Sequence, residues 1–80
     1  MTHEEVFQAV KKVTIGVLPF LPPAEVTIEK NLKDLGANSI DRMEVVTRSM
    51  EALGVKIPLV EFGKVKNLQG LVEVLKKFVN

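Results

Sequence analysis

The chain has no cysteine, no tryptophan and no tyrosine, and only one histidine among its 80 residues. Without cysteine there can be no disulfide, no thiolate zinc site and no cysteine nucleophile, and a reducing, cytoplasmic setting is expected. A single imidazole, His3 near the chain start, builds neither a metal site nor a base–nucleophile pair. The five glycines are never adjacent, so no glycine-rich phosphate cradle exists. No apolar run approaches the roughly 18 residues of a membrane span. The opening MTHEEVFQAVKK lacks the charged-then-apolar order of a secretion signal. A net charge of +1, with phenylalanine as the only aromatic, gives no basic stripe for nucleic acid. What remains is a chain 46% hydrophobic, enough for a packed core, and one domain over residues 1–80 is expected.

Helical signals dominate. Thr2 and Glu5 have the spacing of a capping box, so a first helix starts at His3. Val6, Val10, Val13 and Val17 recur at helical spacing, Phe7 and Leu18 widen the stripe, and Pro19 followed by Pro22-Pro23 ends it. The connection from Pro19 to Asn38 holds three of the four prolines. So long a loop in so small a chain is expected to pack on the body through Val26, Ile28, Leu32 and Leu35, with a short turn near 28–33. A second helix runs from Ser39 to Leu53, with Asn38 as its N-cap, Asp41 as the capping-box partner and Gly54 as the left-handed terminator. IPLVEFGK reads as a short helix led by Pro58. Asn67 caps a last helix striped by Leu68, Leu71, Val72, Leu75 and Phe78. No strand pattern and no internal repeat is present.

The segment LGANSIDRMEVV, residues 35–46, poses the functional question. Serine at a helix start is commonly no more than a cap. Here Asn38 already supplies the cap, which leaves Ser39 free to point outwards in the first turn. A phosphate on that hydroxyl would lie near unpaired backbone N–H groups and the positive end of the helix dipole. No neighbouring base activates the hydroxyl, which suits a phosphodiester installed by another enzyme. Ser49, the only other serine, sits inside the helix and lacks this setting.

DLGANSIDRMEVV resembles the phosphopantetheine attachment motif of acyl carrier proteins, with its Gly-x-Asp-Ser-Leu core, and the resemblance covers almost the whole chain. Gly36 and Ser39 match the glycine and serine of the motif. Ile40 replaces the leucine conservatively, and Asn38 replaces the aspartate, keeping the cap but removing a negative charge. GANSIDR is similar to the stand-alone donor carriers of polyketide β-branching cassettes. The resemblance implies an all-α, four-helix acyl-carrier-type bundle with a short third helix and a long first loop. It also implies a non-enzymatic carrier, with 4'-phosphopantetheine from coenzyme A attached at Ser39 by a phosphopantetheinyl transferase. The implied cargo is acetyl, delivered to an HMG-CoA-synthase-like enzyme, with acyl-loading or decarboxylating enzymes of a polyketide synthase as further partners. A monomer is expected, with no nucleic-acid or membrane partner.

Read as a wheel, the second helix turns Val46, Met50 and Leu53, with Met43 beside them, toward the core. Asp41, Glu44, Arg48 and Glu51 fall on the opposite wedge, with Ile40 and Thr47 at its edge. The candidate partner surface is thus Asn38, Ile40, Asp41, Arg42, Met43, Glu44, Thr47, Arg48 and Glu51. Arg42 and Arg48 dilute its acidity, so bulk charge steering should be weak. Met43, Val46, Met50, Leu53, Leu71 and Leu75 are expected to fill the space between helices and leave an acetyl-loaded arm in solvent. Two rivals stand beside this reading: a general polyketide, fatty-acid or aminoacyl carrier, and a helical interaction module in which Ser39 only caps.

Overall fold

The computed structural model describes residues 1–79. Three α-helices, α1 (His3–Val17), α2 (Ser39–Leu53) and α3 (Leu68–Phe78), are joined by loops that contain 3-10 turns at Pro23–Glu25 and Leu59–Phe62. The expected short third helix is therefore the 3-10 turn Leu59–Phe62, led by Pro58. Among the described residues there is no strand.

The helix boundaries follow from local chemistry. The Thr2 hydroxyl accepts from the Glu5 N–H at 3.1 Å, and the Glu5 carboxylate accepts from the Thr2 N–H at 2.8 Å. Those two bonds satisfy orphan donors at the α1 start, and caps of this kind contribute about 1 kcal/mol. α2 ends at Gly54, in the left-handed region at φ 69°, where Val55 donates back to the Met50 carbonyl at 3.0 Å. The Asn67 side chain caps α3 by accepting from the Gly70 N–H at 2.9 Å. Lys76 and Lys77 sit in the last turn of α3, where cations oppose the negative end of the dipole.

α1 packs against both α2 and α3. Val6, Phe7 and Val10 from α1, Val45 from α2, and Leu68, Leu71, Val72 and Leu75 from α3 form the centre of one core. Phe78, expected on the α3 stripe, is largely exposed, and Val79 is the buried residue at that end. The helix ends there, so its period no longer dictates which side chain turns inward.

The long first loop is built into this core. Leu18, Leu21, Val26, Leu35 and Ala37 are buried, and Ile28 and Leu32 pack against them. Two loop carbonyls, those of Ile28 and Lys30, accept from the Gln69 and Leu68 N–H groups, each at 2.8 Å. The loop thereby satisfies donors that the start of α3 cannot pair internally. The expected turn near 28–33 is present as successive turns from Ile28 to Gly36. The 3-10 turn at Pro23–Glu25 was not anticipated: Pro22-Pro23 read as a helix stop, yet proline also suits the first position of a new turn.

The phase of α2 differs from the wheel reading. Val45 and Ser49 are its fully buried residues, while Val46, Met50 and Leu53 are half-buried and Met43 is 47% exposed. The wheel centred the apolar face on hydrophobic mass alone. Because α1 lies on one flank only, the helix turns Val45 and Ser49 inward and leaves Met43 and Val46 bordering a cleft on the other flank.

Candidate functional site

Ser39 is the first residue of α2 and is exposed. The Asn38 side chain accepts from the Asp41 N–H at 2.7 Å, and the Asp41 carboxylate accepts from the Asn38 N–H at 3.2 Å. The cap is complete without the serine. Among the described residues, no hydrogen bond engages the Ser39 hydroxyl or the backbone N–H groups of Ser39 and Ile40. A phosphodiester oxygen on this side chain would meet two free donors at the positive end of a helix. The residues present fit a phosphate-linked arm.

The approach to the serine is fixed by Gly36, which adopts φ 100°, a conformation side-chain-bearing residues rarely take. The Phe20 ring lies 3.4 Å from where a Cβ at Gly36 would stand, and that ring is itself 69% exposed. Gly36 donates to the Lys33 carbonyl at 3.0 Å and Ala37 to the Leu32 carbonyl at 3.0 Å, so the chain enters α2 in a tied turn.

The expected partner residues divide into distinct environments. Ser39, Ile40, Met43, Glu44 and Thr47 line one shallow depression on the α2 surface, and Ile40 is 77% exposed. Asn38 and Asp41 are engaged in the cap. Arg42 departs from expectation: its Nη1 donates to the Ala37 carbonyl at 3.2 Å, so the half-buried side chain turns back onto the loop rather than outwards. The Thr47 hydroxyl donates to the Met43 carbonyl at 3.0 Å, using its polarity within the helix. Arg48 forms an ion pair with Glu44 one turn away. Arg48 and Glu51 are exposed but border neither depression.

A second, larger cleft of about 640 Å³ opens beside Ser39. The first loop contributes Leu32 and Lys33, α2 contributes Arg42, Met43 and Val46, and residues from Leu59 to Leu71 close the far side. The space between α2 and α3 is only partly filled as expected: Leu71 and Leu75 are buried, while Met43 and Val46 stay partly exposed and line the cleft. The sequence reading missed Lys33, Leu59, Phe62 and Lys66, which lie far apart along the chain and carry no shared pattern. Val60, in the 3-10 turn, is 80% exposed. Among the described residues, no group of three or more metal-ligating side chains comes together, and no helix is long and apolar enough to cross a membrane.

Residues 8–75 match the phosphopantetheine attachment site family, whose acyl carrier members are carriers rather than catalysts. The chain belongs to this family, the phosphopantetheine-binding acyl carrier proteins, whose cofactor is covalently attached 4'-phosphopantetheine. It is 39% identical over 75 residues to the polyketide biosynthesis acyl-carrier-protein AcpK of Bacillus subtilis (strain 168), covering 94% of this chain and 92% of that protein. It is 33% identical over 72 residues to an acyl carrier protein of Campylobacter hominis, covering 90% of this chain and 91% of the relative. Among solved structures, the chain is similar to one in the crystal structure of the curacin biosynthetic pathway HMG synthase in complex with acetyl donor-ACP. There the TM-score is 0.85 at 32% identity, over 92% of this chain and 95% of that one.

Proposed function

We propose that Ser39 is the attachment residue for 4'-phosphopantetheine and that this protein is the acetyl-donor carrier of a polyketide β-branching system. The observation that carries the attachment site is the Ser39 hydroxyl, exposed and unengaged beside a cap completed by Asn38 and Asp41. A phosphopantetheinyl transferase would bond this oxygen to the phosphate of coenzyme A as the nucleotide half leaves. The arm supplies the thiol that a cysteine-free chain lacks, and tethering raises the acyl group's effective concentration at a partner's site.

The donor role is supported by the likeness to a chain of the HMG synthase–acetyl donor-ACP complex and to the polyketide carrier of B. subtilis. The receiving partner is then an HMG-CoA-synthase-like enzyme. It meets a monomeric cytoplasmic carrier at Ile40, Met43 and Glu44, with the acyl group loaded or decarboxylated by other enzymes of the synthase. The likeness to acyl carrier proteins such as that of C. hominis favours a second reading, a general acyl carrier.

Two measurements separate these. Intact mass after incubation with coenzyme A and a broad-specificity transferase should show one added arm, absent in Ser39→Ala, whose helical circular dichroism stays near wild type. A modified Ser39→Ala protein would reject the site. Acetyl transfer to the synthase should then be faster from this carrier than from a chain-extending carrier of the same pathway. Equal rates would reject the donor role and leave the general one.

A further inference from the structure

Phe20 is the most exposed of the four phenylalanines, at 69%, although it stands near two buried leucines. The loop holds it there. Leu18 and Leu21 are in the core, and the Leu21 N–H donates to the Leu18 carbonyl at 3.0 Å. That bond closes a turn with Pro19 and Phe20 at its two central positions. Proline at the first of these fixes φ, and Pro22 follows Leu21 directly, so the loop has little freedom to withdraw the ring. The ring lies against Gly36, 3.4 Å from where a Cβ would stand, and that glycine is held at φ 100°. Gly36 precedes Ser39 by three residues, a span of at most about 11 Å. A partner seated over Ser39 with an ordinary footprint of about 800 Å² therefore reaches the ring.

We propose that Phe20 is an apolar anchor for the HMG-CoA-synthase-like partner, entering an uncharged pocket on that enzyme's surface beside the opening that receives the arm. The inference rests on the donor reading above and adds a contact outside α2. The chemistry of the partner's pocket follows from what surrounds the serine. On α2, Asp41 is held in the cap, Glu44 is paired with Arg48, and Arg42 is turned onto the Ala37 carbonyl. The apolar groups Ile40 and Met43 are 77% and 47% exposed. Phe20 extends this apolar character from the helix to the loop that leads into it. An exposed ring gains by leaving water. A ring already fixed by its turn loses little conformational freedom when covered, which is the character of an interface anchor.

The test uses the full chain, phosphopantetheinylated to completion by mass and loaded with acetyl, as wild type, Phe20→Ala and Phe20→Leu. The readouts are Kd for the synthase and the acetyl-transfer rate as carrier concentration is raised. Phe20→Ala should weaken binding about tenfold to thirtyfold, the loss expected of an interface hot spot. Phe20→Leu, which keeps apolar bulk, should lose less. The transfer rate of both variants should return to wild type at saturating carrier, because the ring serves docking and not the chemical step. A Phe20→Ala Kd within twofold of wild type would overturn the proposal. So would a rate that stays low at saturating carrier with Kd unchanged, which would mean that the ring acts through the local geometry of Ser39. Self-association that Phe20→Ala abolishes while synthase binding is unchanged would assign the ring to a second copy of the chain and also overturn it. A wild-type protein that takes the arm but neither binds nor acylates the synthase would instead reject the donor reading itself.

Discussion

Asn38 and Asp41 hold each other through two reciprocal hydrogen bonds, side chain to backbone in both directions, at 2.7 and 3.2 Å. The pair closes the helix end without the serine, and the Ser39 hydroxyl is left unengaged. Asn38→Ala should therefore destabilise the fold by about 1 kcal/mol, lowering Tm by about 4–8 °C. Arm attachment should persist at temperatures where the variant is folded. Thermal unfolding followed by intact mass checks both halves. A Tm loss together with complete loss of attachment in the folded variant would show that cap and attachment are not separate.

The charge arrangement on α2 gives a second prediction. Asp41 is committed to the cap, Glu44 is neutralised by Arg48, and Arg42 is turned onto the Ala37 carbonyl. The uncharged groups left facing a partner near Ser39 are Ile40 and Met43, beside the ion-paired Glu44. Binding to an HMG-CoA-synthase-like enzyme should change by less than about threefold between roughly 50 and 150 mM salt, because little unscreened charge is offered. Titration at the two salt concentrations measures it. A collapse in affinity would mean that Glu51 or the paired Glu44 steers the encounter after all.

These two cases show which features are legible in a sequence. Caps are local: Thr2 with Glu5, Asn38 with Asp41, and Asn67 before α3 could be read from three-residue spacing, and the structure places each as expected. The phase of α2 is not local. Met43 and Val45 are equally apolar candidates until α1 is placed, and only that packing decides that Val45 is buried and Met43 exposed. The cleft is less legible still. Lys33 and Lys66 come from separate loops and both line it, where the Ile28 and Lys30 carbonyls tie the first loop to the start of α3.

The α1 cap carries a pH signature. The Glu5 carboxyl titrates below its ordinary range because the Thr2 backbone N–H, and secondarily the Thr2 hydroxyl, hydrogen-bond its charged form. A group whose folded pKa is lowered contributes stability fully present above its unfolded value, about 4.3 for glutamate. That contribution is lost as pH falls through the folded value. Urea unfolding at pH 6 and at pH 3 should show an acid loss that is smaller in Glu5→Gln, which keeps an acceptor but cannot titrate. The difference is small because the group is fully exposed. An identical acid loss in both proteins would remove Glu5 as a contributor.

The last prediction concerns the α2 residue that the core encloses against expectation for its type. Ser49 is fully buried, and its hydroxyl has no hydrogen-bond partner. Thr14, equally buried on α1, differs in one respect: its hydroxyl donates to the Val10 carbonyl at 2.8 Å. A buried hydroxyl without a partner forfeits its hydration and gains nothing in return, whereas a paired one recovers most of that loss. Ser49→Ala removes a single oxygen and leaves a gap smaller than a methyl group, so it should be neutral or raise stability by up to about 1 kcal/mol. Thr14→Val keeps the volume but deletes a satisfied bond, and should lower stability by about 0.5–1 kcal/mol. Parallel urea melts of the two variants decide the matter. Equal losses in both would show that the Ser49 hydroxyl is engaged in solution, by a water or by the Val45 carbonyl one turn back. A gain confined to Ser49→Ala would show that α2 retains a polar atom in its core at a cost to the fold.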